Sequence, residues 1–171
     1  MHMLKIFSVL FSILLFTSSS FAEPVLVKEF IGQLEFVKGR IMQLAEAMPE
    51  DKYTWRPDDE VRSVGEVYVH IADANIYFLS LMTGNETEYE AENNNDKKTA
   101  LKKLEQSFQT LKESVSKFTE EDLNREIEAF GRNFTVRNFM ITLISHIHEH
   151  LGQSIAYARM NNVTPPWSLQ D

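Results

Sequence analysis

The stretch Thr135-Val136-Arg137-Asn138-Phe139-Met140-Ile141-Thr142-Leu143-Ile144-Ser145-His146-Ile147-His148-Glu149-His150-Leu151-Gly152-Gln153 decides the fold. Phe139, Met140, Leu143, Ile147, Leu151, Ile155 and Ala158 recur at helical spacing, which stacks them on one side of an α-helix. Thr135 is a good N-cap because its hydroxyl can accept from the unpaired N–H groups of a first turn. Asn161-Asn162 and Pro165-Pro166 stop the pattern, so a helix is predicted from the Thr135 cap to about Asn161. Such a helix is apolar along one stripe and needs other helices to cover it.

Three further stretches supply them. Upstream, Leu101, Leu104, Phe108, Leu111 and Val115 mark a helix from about Thr99 to Phe118, and Thr119 with Asp122 suggests a brief helical turn after it. Residues Arg125 to Asn133, with Phe130-Gly131, read as a short extended excursion. Ser63 with Glu66 three residues on is a capping-box signature; it opens a helix carrying Val64, Val67, Ile71, Ala74, Phe78 and Met82 inward until Gly84. Val27, Phe30, Ile31, Leu34, Val37, Ile41 and Leu44 define the first helix, from about Val25 to Ala47, which must end before Pro49. Between these two lies a connection with Pro49, Pro57 and the aromatic anchors Tyr53 and Trp55, read as plugging the bundle end rather than lining a pocket mouth. The polar stretch from Asn85 to Lys98 reads as a surface loop. No period-2 run extends beyond a few residues, so the fold class is all-α, with four principal helices.

The first 22 residues read differently. Lys5 precedes the apolar run Ile6 to Phe16 and the small-residue stretch ending Ser20-Phe21-Ala22, the layout of a secretory signal peptide with cleavage after Ala22. The apolar run is shorter than the roughly 20 residues a permanent spanning helix needs, so no stable membrane insertion is expected after cleavage; a retained N-terminal anchor is the competing reading. Export places the chain in the periplasm or outside the cell, and residues 23–171 are a common size for one domain. There is no cysteine, which excludes disulfides, thiolate ligands and a cysteine nucleophile. A formal charge of −8 without a dense Lys/Arg cluster weighs against a nucleic-acid partner.

Chemistry therefore falls to histidine, carboxylates, hydroxyls or a metal. His146 and His150 are four apart on one helix, so both rings leave the same face one turn apart. His148 lies about 200° around from His146 and faces elsewhere. His70, beside Val67, Ile71 and Ala74, borders the inward face of the second helix and can meet the pair across the bundle. Three neutral imidazoles would leave an open position on a divalent ion, a catalytic type of site. The alternative stays open at this stage: a surface pair at i, i+4 and one hydrogen-bonded core histidine. His148-Glu149-His150 lacks the spacing of the zinc-protease H-E-x-x-H motif, so Glu149 is not the base of such a site. Gln153, three residues after His150, and Glu66 and Asp73, flanking His70, are the candidate groups to orient the rings.

The residues also carry a resemblance. Met48-Pro49-Glu50-Asp51-Lys52-Tyr53-Thr54-Trp55-Arg56-Pro57, Val61-Arg62-Ser63-Val64-Gly65-Glu66-Val67 and His70-Ile71-Ala72-Asp73-Ala74-Asn75 are similar to one signature of the DinB family. His146-Ile147-His148-Glu149-His150-Leu151-Gly152-Gln153, with Tyr157-Ala158-Arg159-Met160 and Pro165-Pro166, resembles the other. The resemblance implies a four-helix bundle of the DinB/YfiT-like type with long crossover connections. It also implies a divalent ion, zinc or nickel, on His70, His146 and His150, and frequent homodimerisation. Similar proteins include thiol-dependent transferases and isomerases and metal-dependent hydrolases. The export signal departs from the usual case and sets the chain where thiol cosubstrates are scarce.

The expectation is therefore an exported metal-binding protein that hydrolyses, or transfers a group on, a small molecule through the three histidines. The competing expectations are a periplasmic metal- or ligand-binding bundle without turnover and, third, a homodimeric scaffold with hydrogen-bonded core histidines. No catalytic residue beyond the metal set is assigned.

Overall fold

The computed structural model describes residues 23–85 and 94–169; the signal-peptide reading lies outside them, as does most of the polar loop. Helix α1 spans Val25–Ala47, and Val27, Phe30, Leu34, Val37, Ile41 and Leu44 form its buried stripe. Met48 then turns extended (φ −66°, ψ 127°), as the steric demand of the following proline requires. The chain passes through a short 3-10 turn, Glu50–Lys52, into the connection that carries Tyr53 and Trp55.

Helix α2, Val64–Thr83, opens with the expected capping box. The Ser63 hydroxyl accepts from the Glu66 N–H at 3.3 Å, and the Glu66 carboxylate accepts from the Ser63 N–H at 2.7 Å. Two more first-turn donors are taken by the connection, Val64 N–H by the Trp55 carbonyl at 3.0 Å and Gly65 N–H by the Tyr53 carbonyl at 2.9 Å. Gly65 is required there, since a Cβ would collide with the Asn95 carbonyl oxygen. Tyr53 is 2% exposed and its hydroxyl donates to the Ala45 carbonyl at 2.7 Å, so it seals the bundle end.

Helix α3 is Lys97–Val115, displaced toward the N-terminus from the predicted span because Asp96, not the Thr99 region, caps it; the Asp96 carboxylate accepts from Thr99 N–H at 2.8 Å. The expected brief turn is α4, Glu120–Asn124, with a Thr119–Asp122 capping box. The extended excursion is a hairpin, β1 (Glu126–Ala129) antiparallel to β2 (Arg132–Thr135), with Ala129 opposite Arg132. Its central residues Phe130 and Gly131 both have positive φ, 53° and 70°, as a type I′ turn demands. Helix α5, Val136–Met160, follows directly from its Thr135 cap.

Helices α1, α2, α3 and α5 make the four-helix bundle. Helix α1 packs on α3 and α5, and α2 packs on the same two, so each of the pairs α1/α2 and α3/α5 stands diagonally. The connections from α1 to α2 and from α3 to α5 are the crossovers. One continuous apolar cluster fills the interior, from Val27 and Leu34 to Leu143 and Ala158. Among the described residues no helix is long and apolar enough to cross a membrane. For function, the consequence is that α2 and α5 lie side by side, which brings His70 opposite His146 and His150.

Candidate metal centre

The three rings meet on one spot. His146 Nε2 lies 3.2 Å from His70 Nε2 and 3.2 Å from His150 Nε2. The rings are set edge to face, with centroids 4.5 to 5.2 Å apart. Among the described residues these three form the group of side chains able to hold a metal ion. The spacing can be tested against what an ion needs. Tetrahedral zinc with Zn–N of about 2.05 Å places its nitrogen ligands about 3.3 Å from one another. The donor set fits. Hydrogen bonding alone accounts for the cluster less well, because the single in-plane site on His146 Nε2 cannot serve two facing nitrogens at once.

The protonation state suits the same purpose. Burial, then the Arg62 guanidinium, then the two neighbouring imidazoles push the His70 pKa down to about 4. Burial, followed by His150, also lowers that of His146, with Glu149 opposing. Both rings are therefore neutral near pH 7 and carry a lone pair.

Which nitrogen of His150 carries that lone pair follows from a chain of hydrogen bonds. The Tyr157 hydroxyl donates to the Arg62 carbonyl at 3.2 Å, so its oxygen is left to accept from the Gln153 amide N–H at 3.0 Å. The Gln153 carbonyl oxygen then faces His150 Nδ1 at 2.8 Å and must accept from it. With the proton held on Nδ1, His150 presents its lone pair from Nε2 toward the other two rings. Trp55 packs edge-on against Tyr157, centroids 5.5 Å apart, and so supports this chain from the connection.

His146 is oriented differently. Phe78 stacks on it at 5.7 Å with 30° between planes, and Phe78 in turn stacks on Phe139 at 4.7 Å. Its Nδ1 is buried with no hydrogen-bond partner among the described residues.

Of the three side chains expected to orient the rings, the structure joins only Gln153 to one. Glu66 is corrected: its carboxylate is occupied by the Ser63 N–H and by Arg56 at 3.1 Å, as its place in the capping box dictates. Asp73 is corrected likewise, since it pairs at 3.2 Å with Lys103, whose side chain is 6% exposed and requires a counter-charge. His148 stays apart, its Nδ1 2.8 Å from the Ile144 carbonyl of its own helix. Tyr157 and Arg62 were not singled out from the sequence. The i, i+4 spacing of Gln153 and Tyr157 is the signal that was available.

Among the described residues, cavities open on the cluster from two sides. A polar one of about 780 Å³ reaches His70 and His150 past Arg56, Arg62 and Glu66. A second, of about 590 Å³, reaches His70 and His146 between α2 and α5 under the hairpin turn. Both volumes lie in the range of small-molecule sites.

Comparison with known proteins agrees with this architecture. YjoA of Bacillus subtilis strain 168 is 28% identical over 122 residues, which span 68% of this chain and 79% of YjoA. The crystal structure of that DinB-like protein superposes with a TM-score of 0.68 at 24% identity, over 80% of this chain and 93% of that one. A DinB-like protein from Bacillus cereus ATCC 10987 gives 0.71 at 22% identity, covering 81% and 95%. YfiT from Bacillus subtilis, described as a probable metal-dependent hydrolase with an unusual four-helix bundle topology, gives 0.64 at 18%, covering 81% and 89%. The model of the DinB superfamily matches residues 33–154, a span that holds all three converging histidines, and the chain belongs to that superfamily.

Proposed function

We propose that the chain is an exported, divalent-metal-dependent enzyme that carries out hydrolysis or group transfer on a small molecule at His70, His146 and His150. The convergence of three Nε2 atoms, with neighbours at 3.2 Å, carries the reading. Its supports are the neutral state that burial imposes on His70 and His146 and the hydrogen-bond chain that aims His150. The description of YfiT as a probable metal-dependent hydrolase points the same way. Zinc or nickel held there would supply Lewis acidity toward a water or a substrate oxygen or sulfur. The chain's own part is to orient the imidazoles, to admit substrate from two sides, and to hold the positive charge of Arg62 near the cluster. Purified metal-loaded protein, screened on ester, amide and thiol-transfer substrates, is expected to turn over at least one of them and to lose that activity in His150→Ala. Activity that survives the substitution contradicts the assignment.

A second reading, a metal- or ligand-binding bundle without turnover, has one observation in its favour. Among the described residues no carboxylate is hydrogen-bonded to any of the three rings, since Asp73 and Glu66 are held elsewhere. Stoichiometric metal with no turnover on any of the three substrate classes would decide for it.

Export through residues 1–22 belongs to the same proposal. Mass spectrometry of the protein recovered from the periplasm or medium is expected to give a chain beginning at Glu23; an intact Met1 start would contradict it.

A further inference from the structure

The cavity beneath the hairpin has a chemistry of its own. Its α2 wall carries Tyr77 and Phe78, its α5 wall Thr142, Ser145 and Glu149, and Phe130 at the turn closes over it. Tyr77 and Phe130 are 50% and 56% exposed, with ring centroids 6.3 Å apart. Phe130 holds φ 53°, a conformation in which glycine, asparagine or aspartate is the usual occupant of this turn position. One side of the Phe130 ring meets Phe78 and Phe139, with centroids 5.9 and 6.0 Å away, while the rest stays in water and borders the cleft that ends on His70 and His146.

The polar atoms of the cleft point to one kind of partner. The Thr142 hydroxyl donates to the Asn138 carbonyl at 3.2 Å and the Ser145 hydroxyl to the Ile141 carbonyl at 2.9 Å, so both protons are committed and only acceptor lone pairs remain. Asp73 is paired with Lys103. The Glu149 carboxylate, on the rim, has no hydrogen-bond or ion-pair partner among the described residues and is the uncompensated charge of the cleft. Among the described residues no arginine or lysine lines it. Apart from the Tyr77 hydroxyl and the ring N–H groups of His70 and His146 at its inner end, the walls offer aromatic faces and acceptors, which complement an apolar ring bearing a cationic donor.

We infer that this cleft receives the aromatic portion of a cationic amine, held between Phe130 and Tyr77 with its ammonium toward Glu149, and that such amines are the substrate class of the histidine site. The substrate assignment rests on the metal-dependent reading; the binding of the amine to the cleft does not.

The test uses 2-naphthylmethylamine and its anionic counterpart 2-naphthoate, followed by naphthalene fluorescence, on the mature protein with metal and after chelation. The amine is expected to bind in both states and about tenfold more tightly than the carboxylate. Phe130→Asn, which suits the turn backbone, and Tyr77→Ser, at an exposed helix position, are each expected to weaken the amine about fivefold. Glu149→Gln is expected to reduce the preference for amine over carboxylate. Should Phe130→Asn fail to fold, as judged by circular dichroism, Tyr77→Ser decides. Equal binding of the two probes, or affinities unchanged by these substitutions, overturns the inference. So does a dimer by sedimentation that either aromatic substitution dissociates, because the patch is then a self-association surface. Amine binding in a protein that takes up no metal would sink the metal reading alone, whereas metal uptake without amine binding would sink the cleft alone.

Discussion

At the scale of single residues, the position of one proton organises the site. Gln153 fixes the His150 tautomer, and it is fixed in turn by Tyr157, whose own proton goes to the Arg62 carbonyl 95 positions away in sequence. Losing a partner of this kind commonly lowers metal affinity about 10- to 100-fold, because the ring is then free to rotate and to change tautomer. Gln153→Ala is accordingly expected to weaken zinc binding by that factor, measured by competition with a chromophoric chelator, while the helical circular dichroism is unchanged; undiminished affinity would show that the chain has no part in the site. That His146, His150 and Gln153 share one face was legible in the sequence from helical spacing, whereas the meeting of His70 with them was an expectation of the family resemblance. The relay to Arg62 was not, since it depends on how the connection after α1 folds back over α5. The diversion of Glu66 and Asp73 has the same origin: flanking a histidine on a helix does not show which other charge, Arg56 or Lys103, will reach the carboxylate first.

At the scale of elements, the caps do much of the positioning. Helix α2 carries His70, and its first turn is tied by Ser63, Glu66 and the carbonyls of Tyr53 and Trp55. The Ser63 N–H holds the Glu66 carboxyl below its ordinary 4.5; burial opposes it as the next-largest effect, and the Ser63 hydroxyl and then Arg56 add to the lowering. A depressed carboxylate contributes stability that is complete above its unfolded value and is lost as pH falls through the folded one. The thermal midpoint is therefore expected to drop as pH is lowered below about 4.5, and Glu66→Gln, which can keep the capping geometry, should show a shallower drop. Identical pH profiles for the two proteins would contradict this. The bounds of α1 and α2 were legible because prolines and capping residues act locally. The start of α3 moved because Asp96 offers the better cap, and the I′ turn escaped notice because its first central position holds a phenylalanine.

At the scale of the molecule, the diagonal placement of α1 against α2 and of α3 against α5 creates the site, since it sets α2 beside α5. Helical periodicity shows that four stripes need covering but not which stripe covers which, so the order of packing came only with the family resemblance and the structure. The arrangement brings an ion-sized gap between three imidazoles to the meeting point of a polar and an aromatic cavity. Elemental analysis of the purified protein, dialysed against micromolar zinc or nickel and then against buffer, tests this most directly when run beside His146→Ala. About one ion per chain is expected in the native protein and almost none in the variant. A native protein that retains no divalent metal, or a variant that retains as much as the native one, would contradict the account.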